Sequence, residues 1–207
     1  MAEIGGSINL HWIPLGAGQT VVRASGKVFE ALSALVQRRR MCDLYHSALV
    51  VTVPAGRFVV EMTPIPDRNG AARGVVAEGA VGTAWAGALS SFRYEIRRWC
   101  GGVIPDESEA IATVRVSDHL DRARLLLDLV PLVPTPVWGR DQLDAGEMWS
   151  SNSVTSWLLA CAGIDIAKIE PPQGGRAPGW NAGLVVASRG RSAPTLMGQR
   201  FIPWWAR

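Results

Sequence analysis

Histidine is scarce in this chain. Only His11, His46 and His119 carry imidazoles, and no two stand four residues apart as a helical metal site requires, so no zinc centre is expected. Cysteine is no more plentiful: Cys42, Cys100 and Cys161 are odd in number and lack CxxC spacing, which points to reduced, mostly buried thiols and a cytoplasmic location. No apolar stretch approaches the roughly 20 residues of a membrane span. Nor does a charged segment followed by an apolar one open the chain, so neither a span nor a secretory leader is expected. A strong excess of one charge is missing too. The formal net charge is +3, and the single basic run, Arg38, Arg39 and Arg40, reads as a solvated helix C-terminus, which makes nucleic acid an unexpected partner. No cofactor is implied, and the oligomeric state is left open.

What the chain does contain is enough apolar material for a core. Across 207 residues, 48% are hydrophobic and 19% charged, with 22 glycines and 13 prolines dispersed rather than collected in a tract, so residues 1–207 read as one α+β domain without repeats. Residues 24–40 carry Val28, Phe29, Leu32, Leu35 and Val36 at helical spacing. Leu44 to Val53 and Arg57 to Met62, joined through Pro54-Ala55-Gly56, read as a β-hairpin at the centre of the sheet. Residues 75–89 are ambiguous. Phe92 to Trp99 alternates aromatic or aliphatic residues with Arg93, Glu95 and Arg97, the pattern of a half-exposed strand, and Ile111 to Val116 suggests another. Asp118 to Leu129 reads as a helix with Leu125, Leu126 and Leu129 on one face, ended by Pro131. An ordered irregular stretch, 133–148, leads to a helix over 150–162 with serine caps and Gly163 behind it. The loop-rich tail from Pro171 has one strand-like run, Leu184 to Val186.

Chemistry concentrates at two places. His46 stands at the start of an apolar strand, Tyr45-His46-Ser47-Ala48-Leu49-Val50-Val51, where an imidazole needs a partner; it is read either as a general base or as a satisfied core histidine. Ser153 lies in Asn152-Ser153-Val154-Thr155-Ser156-Trp157 at a helix start. There, backbone N–H groups and the helix dipole can activate a nucleophile, though Ser150, Ser151, Asn152 and Ser153 are all possible caps as well. Behind His46, a tight turn would set Glu61 opposite Val50, about 13 Å along the strand at the usual rise. Thr63 is therefore a second candidate to orient the ring. Cys161 reads as core and Cys42 as a fallback thiol.

The pattern His-x-Ala-Leu-x-Val, a glycine turn and a second strand, followed much later by Asn-Ser at the head of an apolar helix, resembles the circularly permuted papain-like superfamily, in its NlpC-type and lecithin retinol acyltransferase-like branch. The two motifs span about a quarter of the chain, and Ser153 stands where the family keeps its cysteine. The resemblance implies an antiparallel sheet packed with helices and a hydrolase or acyltransferase acting on an amide, thioester or ester. Ser153 would be nucleophile, His46 base and Glu61 the orienting carboxylate. Asn152, Trp149, Trp138 and Tyr45 would line the site, and the partner would be a small-molecule, lipid or peptide acyl substrate. Because a serine hydroxyl, unlike a thiol, is not held ionised by an imidazolium, the alternative is a catalytically inactive ligand- or partner-binding module on the same fold.

Overall fold

Alternating apolar residues make the sheet, and a computed structural model describes it over residues 5–15, 40–65, 73–84, 87, 92–104 and 107–191. The expected helix over 24–40 falls almost wholly outside those residues. Strands β1 (Ser7–Pro14), β2 (Asp43–Val53), β3 (Gly56–Pro64), β4 (Val75–Ala80), β5 (Arg93–Cys100) and β6 (Ala112–Ser117) pair antiparallel in the order β4-β5-β3-β2-β1-β6. A seventh strand, β7 (Gly175–Arg176), pairs parallel with the start of β2. Three helices, α1 (Leu120–Leu129), α2 (Ser151–Cys161) and α3 (Trp180–Arg191), complete the mixed architecture among the described residues.

The β2–β3 hairpin forms as its residues predict, with Pro54 and Ala55 as the turn and Gly56 at φ 136°, a conformation that glycine tolerates. Its register differs from expectation. Val50 pairs with Val59, so Glu61 lies level with Ala48, two residues or about 7 Å along the strand from His46 rather than four.

Side chains alternate across a strand, and the two faces carry different cores. Toward the helices point Ile8, Leu10 and Trp12 of β1, Leu49 and Val51 of β2, Val60 and Met62 of β3, and Tyr94 and Ile96 of β5; Leu126, Val154 and Leu158 of the helices pack against them. Toward the other side point Ile13, Ala48, Val50 and Val59, with Ile104 over them.

Three expectations need correction. β5 is not half exposed, because Glu95 and Arg97 are 2% and 3% exposed; its polar alternation reflects ion pairing along the strand, Arg97 with Glu95, and across the sheet, Arg97 with Glu61 of β3. In α1 the buried residues are Ala123, Leu126 and Leu127, while Leu125 is exposed, since the helix meets the sheet along the 123-126-127-130 stripe. The run Leu184 to Val186 is not a strand but the middle of α3. Ala182, Val186 and Ala187 recur at helical spacing and are buried, and Gly183 lets α3 approach α2 so closely that a Cβ there would overlap Ser156 Oγ and the Ser153 carbonyl.

Candidate functional site: the head of α2 and the sheet beneath it

Helix α2 begins at Ser150, whose Oγ accepts from Asn152 N–H at 3.2 Å, while Ser153 Oγ accepts from Ser150 N–H at 3.0 Å. This is a reciprocal capping box with serine in the third helical position. The same Ser153 hydroxyl donates to the Gly179 carbonyl at 2.7 Å and is completely buried. The N–H groups of Ser153 and Val154 donate to the Ser150 carbonyl at 3.0 and 3.2 Å. With Asn152 N–H engaged by the cap, the amides that would stabilise an oxyanion beside Ser153 already have partners.

Asn152 is a three-way fastener. Its Oδ1 accepts from Ser47 Oγ at 2.8 Å, and its Nδ2 donates to the carbonyls of Tyr45 at 2.9 Å and Pro178 at 3.0 Å. Thr155 Oγ1 donates to the Ser47 carbonyl at 3.4 Å, and Ser156 Oγ donates to the Trp180 carbonyl at 2.7 Å. A seam of neutral polar groups therefore ties β2, α2 and the start of α3 together. Gly179, at φ 85°, is required in it, because a Cβ would lie 2.7 Å from Ser153 Oγ.

The expected pairing of Ser153 with His46 is not formed. Ser47 points at α2, so period-two alternation turns its neighbour His46 to the opposite face, where it pairs directly with Ile13. The hairpin does meet the helix head, but through Ser47, one residue out of phase with the expected base. No described residue hydrogen-bonds the His46 ring. Although the residue keeps partial exposure, its imidazole is dry enough that burial alone lowers its pKa to about 4.

Glu61 shares the second face with His46 but is engaged elsewhere. Its Oε1 accepts from Arg97 Nη1 at 2.8 Å, Arg97 Nε donates to Glu95, and Arg73 Nε donates to Glu95 at 3.1 Å. Thr63 sends its hydroxyl to the Pro64 carbonyl at 3.4 Å and does not orient His46 either. The cross-strand ion network was missed by sequence reasoning. Its only advance signal was the Arg-Tyr-Glu-Ile-Arg alternation of β5, which reads equally as solvent exposure.

On the same face His11 sits opposite Ala48, a diagonal neighbour of His46, with its Nδ1 3.2 Å from Thr113 Oγ1. Burial lowers the His11 pKa; Glu107 pushes it up and Arg57 down by smaller amounts.

The residues expected to line a substrate site are dispersed. Tyr45 and Trp149 are buried in the helix-side core, Asn152 is held in the seam, and Trp138 packs edge-on against Tyr94 with ring centroids 5.9 Å apart. Of the thiols, Cys100 is exposed while Cys42 and Cys161 are half-buried, so none is fully buried as expected, and no disulfide joins them. Among the described residues no group of three His, Cys, Asp or Glu is placed to hold a metal ion, and no helix is long and apolar enough to cross a membrane.

No protein-family model matches the chain, and comparison with curated proteins and with solved structures gave no match.

Proposed function

We propose that this chain is a catalytically inactive ligand-binding module on a permuted papain-like scaffold, not a hydrolase working through Ser153. The observation that carries the reading is the double engagement of the Ser153 hydroxyl. It donates to Gly179 and accepts from Ser150 inside a seam without solvent access, while the one imidazole on the hairpin lies across the sheet. A serine nucleophile needs a base within hydrogen-bond reach, because its hydroxyl does not ionise unaided at neutral pH. The scaffold reading is supported by the contact of the hairpin with the Asn-Ser helix head, Ser47 to Asn152 at 2.8 Å, which brings the two motifs together although one residue out of phase with the expected His46–Ser153 pair.

A fluorophosphonate probe tests this directly. The expected result is no adduct at Ser153 by intact mass and peptide mapping, in the native chain as in Ser153→Ala and His46→Ala. Stoichiometric labelling of Ser153 that disappears in both variants would establish the hydrolase instead.

A further inference from the structure

The loop from Val137 to Trp149 leans against the end of β4 and leaves an open surface hollow of about 340 Å³, lined by Gly82, Thr83, Ala84, Val137, Arg140, Asp141 and Gln142. That volume suits a small molecule. Its side-chain acceptors Gln142 Oε1 and the Asp141 carboxylate are taken up by backbone N–H groups, while several donors are left over. Arg140 Nε donates to the Gly82 carbonyl at 2.7 Å, which orients the guanidinium and leaves both Nη groups without a partner among the described residues. Gly82 can present that carbonyl because it sits at φ 74°, where a side chain is disfavoured. Gln142 Oε1 accepts from Val137 N–H at 2.8 Å, which leaves the Gln142 amide as a donor. Among the described residues nothing hydrogen-bonds the Thr83 hydroxyl either.

The acidic residue in the lining does not fill this need. Both Asp141 oxygens are engaged by backbone, accepting from Ala145 N–H at 2.7 Å and Gly146 N–H at 2.8 Å. The Arg140 backbone is held as well: its N–H donates to the Val137 carbonyl at 3.2 Å and its own carbonyl accepts from Trp149 N–H at 2.9 Å. The guanidinium fork is thus anchored at its root and at its backbone, so little order is lost when a ligand arrives.

We infer that this hollow binds a small monocarboxylate. A guanidinium fork with two open Nη donors matches the two oxygens of a carboxylate. The single positive charge of Arg140 matches one carboxylate and falls short of a phosphate dianion. Val137 and Ala84 offer an apolar wall for a short alkyl chain. The inference extends the reading of the chain as a binding module by giving it a place and a ligand class.

The test is an NMR titration of the full ¹⁵N-labelled chain with propionate, with its neutral isostere propionamide and with inorganic phosphate. Propionate is expected to shift the Gln142 side-chain amide and the Thr83 N–H saturably but weakly, because the guanidinium of Arg140 is exposed. Propionamide and phosphate are expected to leave both signals in place. Arg140→Gln should weaken propionate about tenfold or more, the equivalent of one charge-assisted hydrogen bond, and Arg140→Lys by less. Equal shifts with propionamide or phosphate, no saturable shift with propionate, or shifts indifferent to Arg140→Gln would each overturn the assignment. An unchanged amide spectrum elsewhere in Arg140→Gln verifies that the variant folds. A failed titration would leave Ser153 as inert as before, whereas labelling of Ser153 by the fluorophosphonate would refute the inactive module without touching this result.

Discussion

Facing the helices, the sheet buries hydroxyls and an amide; facing away, it buries carboxylates, a guanidinium and imidazoles. On the helix side Ser47, Asn152, Ser153 and Ser156 bond one another or backbone carbonyls, and none of them carries charge. On the far side Arg97 pairs with the buried carboxylates of Glu61 and Glu95, and Arg73 pairs with Glu95 as well, with His46 and His11 nearby in the strand register. Neutral seams tolerate the loss of one member at modest cost, because each hydrogen bond contributes little net stability. A buried ion network does not, because removing one partner strands charge in a dry place.

The sharpest way to break this comparison is Arg97→Met. It removes the cation that Glu61 and Glu95 share, and a loss of about 4 kcal/mol in urea-induced unfolding at pH 7 is expected. Arg57→Met serves as the contrast, since its pair with Glu107 is 39% and 33% exposed and should change stability by less than about 1 kcal/mol. Similar losses in the two variants would erase the distinction between the faces.

Next in size is a pH effect on the far face. The folded-state pKa of His46 is lowered to about 4, below the ordinary 6.5 of the unfolded chain, so between those values the unfolded state binds the extra proton. Stability from this group is therefore fully present above pH 6.5 and is lost as pH falls toward 4. The full titration amounts to about 3 kcal/mol, at 1.36 kcal/mol for each pH unit of displacement. The depressed His11 pKa acts in the same direction. Comparing unfolding free energies of the native chain and His46→Leu from pH 7.5 to 4 isolates the effect: the gap between them should shift in favour of the variant as pH falls. A constant gap would show that the His46 ring is solvated.

On the helix face, Gly183→Ala probes the contact of α3 with α2. The added methyl overlaps Ser156 Oγ and the Ser153 carbonyl, one a side chain and the other backbone, so the strain is only partly relieved by rotation. A loss of about 2 kcal/mol is expected in thermal or urea unfolding. Adding Ser156→Ala should recover part of it and no more.

Much of the fold was legible because periodicity reports burial. The β2–β3 hairpin and α2 follow from their apolar spacing, β5, β6 and α1 were placed by it although the buried faces of β5 and α1 were not, and Gly163, at φ 73°, closes α2 as its position suggests. The α3 helix was not legible, since a three-residue aliphatic run is too short to separate a period of 2 from 3.6, and what decides it is the fit of Gly183 against α2. The candidate site was legible in its pieces but not in its phase. Sequence places His46 and Ser47 side by side, but which of them faces α2 depends on strand orientation, and a one-residue change in phase exchanges the two faces. For the same reason Glu61 could be named as a polar residue near the hairpin's end while its actual partner, Arg97, came from a strand 36 residues away.

The smallest effect separates cap from nucleophile. Ser153→Ala deprives Ser150 N–H of an acceptor and the Gly179 carbonyl of a donor, and about 1.5 kcal/mol should be lost, the usual size of a helix cap. Ser153→Cys is the more telling variant, because it restores the residue type that the resembled family uses. If Ser153 is a peg, a larger sulfur cannot sit 2.7 Å from the Gly179 carbonyl, so the variant should be destabilised and its thiol should resist alkylation by iodoacetamide at neutral pH. If instead the position retains access to a base, the new thiol should alkylate rapidly with a pKa below 8.5, and His46→Ala should abolish that reactivity. A thiolate dependent on His46 would put the imidazole and the helix head on one face of the sheet, and the division between a neutral seam and a charged face would fall with it.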